Sequence, residues 1–185
     1  MTETRKDERP AGLAIGSMIA LAFGTVFVVV NSGELPEPWP VSIRVAGVLV
    51  AVGLAAWLLR VTRSGVATRQ TGAGFGDRRY WYVVAAEVIV LFAGLNVITR
   101  VLHAPEAAVG WVAVVVGLHF NALAWAWRMP LFHRLGAVMT ALGVAGFVAY
   151  ALNASAATIG LIAGVGSGVA LFVTVAVALR DVRRG

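Results

Sequence analysis

The chain has 185 residues, 59% of them hydrophobic and 13% charged, with a net charge of +6 and no cysteine. Soluble domains carry about 25% charged and 45–50% apolar residues, so an ordinary soluble domain is excluded; without cysteine there is no disulfide framework, thiolate metal site or cysteine nucleophile. The excess positive charge does not describe a nucleic-acid binder, because the basic residues stand at the ends of apolar runs and form no contiguous basic face.

The apolar residues gather into runs of about 20, the length that crosses a hydrocarbon core about 30 Å thick. A transmembrane β-strand would alternate strictly over about 10 residues, and no such alternation occurs. The expected fold class is therefore all-α, a single polytopic membrane domain. Six transmembrane helices are expected at about 11–31, 41–60, 80–99, 107–127, 135–151 and 156–179.

Residues 1–10 form a short charged leader with Arg5, Lys6 and Arg9. The apolar run behind it is longer than the 7–15 residues of a signal-peptide core, and no small-x-small cleavage site follows. It reads as a retained first span. This span places small residues at every fourth position, Gly12, Gly16, Ala20 and Gly24. Lipid supplies no hydrophobic drive between helices, so such a face predicts close backbone packing.

The outer connection from Asn31 to Pro40 is acidic and rich in proline. After the second span comes the longest inner loop, Val61 to Arg78, with Gly72-Ala73-Gly74-Phe75-Gly76 beside arginines. A phosphate cradle needs a preceding strand, and none is there; the plainer reading is a flexible linker with a basic rim toward anionic lipid. All the prolines lie between spans or at their edges, where a missing N–H costs least. The Trp and Tyr residues cluster near the span ends, as an interfacial aromatic belt does.

The third and fourth spans form a hairpin and carry the ionisable residues. Glu87 is the only acidic residue inside an apolar run, and His119 the only histidine inside one. At 1.5 Å per residue, Glu87 lies about 12 Å beyond Arg79, and His119 lies about as far before Trp127 on the antiparallel neighbour. Asn121, Thr140 and Ser17 fall about 9 Å deep, so polar groups of four spans are expected in one layer. The expected orientation of Glu87 and His119 is toward the bundle interior. Asn96 is nine residues from Glu87 and so on the opposite helix face.

The fifth span has Ala141, Ala145 and Ala149 on one face, with Gly136 and Gly143 on another. The sixth repeats the first span's device at Gly160, Gly164 and Gly168. These faces predict contacts within the bundle, or with a second copy or another membrane protein. Of the 15 Lys and Arg residues, thirteen fall on one side if the N-terminus is cytoplasmic, leaving Arg44 and Arg100 outside, near the boundary. The positive-inside bias predicts both termini in the cytoplasm. Arg44 and Arg100 are expected to snorkel toward the headgroups.

An ionisable side chain in hydrocarbon costs about 2.5–3.5 kcal/mol and marks a candidate site. A carboxyl there is protonated, paired or hydrated. Glu87, His119 and Asn121 are thus the candidates for binding a proton or a small ligand. The alternative is that they are hydrogen-bonded glue between helices, and Asn121 by itself fits the glue reading better. No His-Glu-x-x-His, Gly-x-Ser-x-Gly or Asp pair occurs, so no catalytic set is expected. One His with one Glu is too few ligands for a structural zinc, and no cofactor or metal is implied.

The stretch Val116-Gly117-Leu118-His119-Phe120-Asn121-Ala122-Leu123-Ala124, with Glu87 and Asn96 in the preceding span, resembles a group of uncharacterised bacterial six-span membrane proteins. Their corresponding stretch reads Gly-Leu-His-Phe followed by Leu-Ala, often with proline where Ala122 stands. The resemblance covers the third and fourth spans. It implies a multi-pass protein of the bacterial cytoplasmic membrane and marks Glu87, His119 and Asn96 without giving them a role. Three functions remain open on the sequence: a small transporter or permease using Glu87 and His119, an accessory or structural membrane subunit docking through its small-residue faces, and a membrane enzyme acting on a lipid or isoprenoid with Glu87 as general acid.

Overall fold

A computed structural model describes residues 13–63, 78–127 and 130–184. The leader, Gly12 and the Gly72–Gly76 stretch lie outside the described residues. The described chain is helical, with no strand among those residues: α1 (Leu13–Asn31), α2 (Trp39–Arg63), α3 (Arg78–Asn96), α4 (Ala108–Trp127), α5 (Pro130–Ala151), α6 (Ala156–Ile159) and α7 (Gly166–Arg184). A π-helical turn, Gly160–Val165, joins α6 to α7, so these three pieces make one sixth span. A second π turn, Val97–Val101, extends α3. Six helices are long and apolar enough to cross a membrane.

Several helices overrun the expected spans. α5 starts at Pro130, five residues before the expected 135, and α7 runs on to Arg184. Hydropathy ends where charge begins, at His133 and Arg134 or at Arg180, but backbone hydrogen bonding continues beyond the hydrocarbon. Pro130 fits because the first helical residue has no internal partner for its N–H. α5 stops in a Schellman arrangement: Asn153 takes a positive φ of 57°, its N–H bonds to Tyr150 O at 2.9 Å, and that of Ala154 to Ala149 O at 3.0 Å. Ser155 then caps α6 by accepting from the Thr158 N–H at 3.2 Å.

The centre of the bundle is α1, α4, α5 and the sixth span, with α2 on α1 and α7, and α3 on α4. The core gathers Leu21, Val28, Leu58, Ala113, Met139, Leu171, Val175 and Leu179. Glycine sets how close the central helices come. α1 runs antiparallel to the sixth span, where a methyl added to Gly24 would lie 3.2 Å from the Gly168 carbonyl oxygen, and one on Gly168 would lie 2.7 Å from that of Gly24. One on Gly160 would lie 2.8 Å from Asn31 O, and one on Gly164 would strike the Asn31 side chain. Gly16 departs from this pattern, since the nearest atom to its methyl would be the Phe132 ring at 3.9 Å. It borders a small cleft instead.

The α4–α5 hairpin meets through two glycine pairs. A methyl on Gly136 would sit 2.6 Å from Gly117 O, and one on Gly143 2.6 Å from Gly110 O. Both helices repeat glycine after seven residues, a spacing that keeps one face on the partner when two helices wind gently round each other. The Ala141, Ala145, Ala149 face makes less contact than expected: Ala141 is exposed and only Ala149 is buried. Glycine, lacking Cβ, took the contact on the neighbouring face.

Arg44 finds a partner within the fold. Its Nε donates to Val29 O at 3.1 Å, and a methyl on Gly33, in the connection beyond α1, would lie 3.1 Å from its Nη2. That carbonyl is among the last four of α1, which lack internal partners and carry the negative end of the helix dipole. Arg44 therefore ties α2 to the end of α1.

Candidate functional site

α3 places Glu87, Leu91 and Gly94 on one face, at i, i+4 and i+7. α4 answers with Trp111 and His119, two turns apart and in antiparallel register. At one end of this contact the Trp111 indole covers Gly94 so closely that a methyl there would fall within the ring. The indole N–H donates to Leu91 O at 3.1 Å. At the other end His119 Nδ1 is in hydrogen-bond contact with Glu87 Oε2. This is the one ion pair among the described residues. The helix is thus held at two points, one apolar and one polar. Trp111 stands near a span end as belt residues do, but its position in the fold is set by α3.

The pair does not lie in the bundle interior, where the cost of exposing charge to hydrocarbon had placed it. The third span, Val84–Val101, is only 6% buried, against 44% for Pro105–Trp125. α3 is a peripheral helix, and Glu87 and His119 meet at its inner edge with side chains 23% and 25% exposed. The cost is met by pairing rather than by depth: the hydrogen bond between them gives each group a partner. With one proton between them, the pair has no net charge whether it is written as carboxylate and imidazolium or as carboxyl and imidazole.

Asn121 stands apart from this pair. Two positions along a helix is a turn of about 200°, so it points away from α3 and toward α5. Its Nδ2 donates to Gly117 O at 3.2 Å, and its Oδ1 lies 3.4 Å from His133 Nδ1. A methyl on Gly136 would meet Nδ2 at 2.6 Å. Asn121 therefore fills the space that two glycines leave, as a packing residue.

The expected polar layer of four spans is likewise divided. Thr140 packs against Gly117, its hydroxyl buried without a hydrogen-bond partner among the described residues. Ser17 is buried at a cleft of about 30 Å³ that it shares with Gly16, Phe120, Phe132 and Thr174. Neither Glu87 nor His119 borders that cleft. Asn96 is exposed on α3, its Nδ2 bonded to its own helix at Phe92 O, 2.9 Å away.

Sequence reasoning passed over Trp111, His133 and Ser167. Trp111 falls in the aromatic belt and His133 just before the expected fifth span, and nothing in their spacing singles out a partner. Ser167 is fully buried in the sixth span with its hydroxyl unpartnered among the described residues, next to the π turn. Among the described residues no group of three or more His, Asp or Glu side chains gathers as a metal site would.

The fold and the pair define the class: an all-α protein of six membrane-capable helices with one Glu–His contact between its third and fourth spans. No family model matches the chain, and neither any curated protein nor any solved structure does so.

Proposed function

We propose that this is a small transporter or permease of the bacterial cytoplasmic membrane in which the Glu87–His119 pair carries a proton. The observation that supports this reading is the hydrogen-bond contact of a carboxyl and an imidazole within spans otherwise almost free of charge. The pair is neutral with one proton. With a second it is cationic, and with none it is anionic. Either change leaves an uncompensated charge at membrane depth, which is costly enough to favour water or a counter-ion entering beside it. α3 is the element free to respond, since it rests on α4 alone among the larger helix contacts. A solute whose charge balances the pair would be carried as α3 shifts against α4 about the Trp111–Gly94 contact.

The test is flux in proteoliposomes under an imposed proton gradient, with cationic, anionic and neutral small solutes assayed in turn. Wild-type protein should move one class with the gradient, and Glu87→Gln should reduce that flux by at least tenfold. The typical contribution of a positioned proton-transferring group is about 10²–10⁴-fold, and a carboxamide cannot exchange the proton. Gradient-independent behaviour of the wild-type protein toward every class would reject the reading.

The orientation proposed with it has both termini in the cytoplasm, supported by the thirteen-to-two division of Lys and Arg. Reporter fusions after Gly33 and Gly185 should read outside and inside; fusions that read the same side, or the reverse, dispose of it.

A second reading, an accessory membrane subunit, draws on the low burial of two spans, 11% for Trp39–Arg63 and 6% for Val84–Val101. It is distinguished by a stoichiometric membrane partner that co-purifies with a flux-inactive protein. The enzyme reading has less to support it, because the cleft near Ser17 and Thr174 does not reach Glu87.

A further inference from the structure

The small-residue faces that offered a route to self-association are largely occupied inside one chain, Gly24 and Gly168 by each other and Gly160 and Gly164 by Asn31. A contact between copies must therefore use another surface. The outward face of α3 has the properties such a contact needs. Ala85, Ile89, Phe92 and Asn96 follow one another at intervals of four, three and four residues, the spacing of a two-helix seam. All four are exposed, Ile89 by 68% and Phe92 by 58%. At 100° per residue this seam points about 160° away from Glu87, Leu91 and Gly94, the residues that face α4. A second helix could lie along it without disturbing the hairpin.

Asn96 says which helix that is. It lies within the Val84–Val101 span, five residues before its end. Its Nδ2 has one bond, to Phe92 O, and its Oδ1 has no partner among the described residues. In hydrocarbon no water is there to fill the remaining donor and acceptor sites, so a neighbouring protein group is favoured. A carboxamide is its own complement, offering one donor and one acceptor to an identical group. Two copies inserted in the same orientation place α3 parallel to α3 about an axis along the membrane normal, which sets Asn96 opposite Asn96 of the second copy. A single polar residue in such a seam fixes register and partner number.

We propose that α3 is the interface of a parallel homodimer, closed along Ala85, Ile89 and Phe92 and locked by reciprocal Asn96 carboxamide hydrogen bonds. The Glu87–His119 pairs then lie on the far side of each α3 from the dimer axis, and each protomer keeps its own.

The chain has no cysteine, so single cysteines report the interface directly. In membranes treated with a mild oxidant, Ala85→Cys, Ile89→Cys and Phe92→Cys should give disulfide-linked dimers. Val90→Cys, at a position that is also exposed (49%) but off the seam, should not. Subunit counting by single-molecule photobleaching in liposomes should show dimers at decreasing protein-to-lipid ratio, and Asn96→Leu should raise the dissociation constant about tenfold. Within the protomer Asn96→Leu removes only the exposed bond to Phe92 O on its own helix, so the thermal midpoint of the monomer should stay near that of the wild type and a loss of dimer cannot be put down to unfolding. Monomers at every ratio, cross-linking at residue 90 as strong as at 92, or a dimer indifferent to Asn96→Leu would each overturn the proposal.

Discussion

Leucine at Gly136 should lower the thermal midpoint of the detergent-solubilised protein by about 6–12 °C. The first added carbon already meets Gly117 O and Asn121 Nδ2, both at 2.6 Å. The Asn121 amide can swing aside, at the cost of its bonds to Gly117 O and His133. The Gly117 carbonyl is backbone in the middle of α4, and can yield only if the two helices separate. Separation would also open the Gly110–Gly143 contact seven residues away, because rigid helices move as rods. Overpacking of this kind typically costs 1–3 kcal/mol and occasionally more; with backbone on the far side the upper figure is the one to expect. At about 2–4 °C per kcal/mol for a chain of 150–250 residues, the shift follows. Leucine at the exposed neighbour Ala137 adds the same bulk toward lipid and should leave the midpoint where it is. If both variants melt with the wild type, glycine does not set the α4–α5 distance.

Removing Glu87 alone should cost more than removing the whole pair. Glu87→Leu leaves His119 Nδ1 without its partner at membrane depth, and His119→Leu strands the carboxyl. Each single change should destabilise by about 1.5–3 kcal/mol, the usual range for a hydrogen bond to a charged group. The double variant Glu87→Leu, His119→Leu leaves neither group behind. Two leucines packing between α3 and α4 should restore much of the loss, since breaking a pair is worse than replacing it with apolar residues. Thermal midpoints of the four proteins close the cycle, and spin labels on α3 and α4 report whether the helices stay together. Additive losses would show that the two side chains do not support each other. The double variant separates structure from function as well: it should recover stability and regain no proton-linked flux.

The two experiments test different links between sequence and structure. Gly136 and Gly143 stood out as a small-residue face, but their partners Gly110 and Gly117 did not, because a single helix does not say which neighbour it will meet. The hairpin decides this by placing Gly117 O over Gly136. Similarly, eight-residue offsets from Arg79 and Trp127 were enough to bring Glu87 and His119 to one depth, since an antiparallel hairpin with a short connection leaves little freedom in register. The same counting set Asn121, Thr140 and Ser17 at a shared depth, and there it misled. Depth is one coordinate and direction around the helix is another; Asn121 is turned by about 200° from His119 and faces α5.

By itself, then, the amino-acid sequence determined that the chain is a bundle of apolar helices, where each begins to within five residues, and that Glu87 and His119 are the residues to examine. These follow from local physics: hydrophobic length, the position of proline and charge, and a fixed rise per residue. Only the tertiary structure decided that α3 lies at the edge of the bundle, that the pair is met by a hydrogen bond instead of by burial, that Arg44 serves the end of α1, and that Gly24 of α1 faces Gly168 of the sixth span while Gly16 opens a cleft. Apolar helices in lipid have no hydrophobic face to give their orientation away. Which side turns inward depends on the fit of small residues against particular neighbours, and that fit exists only once the helices are assembled.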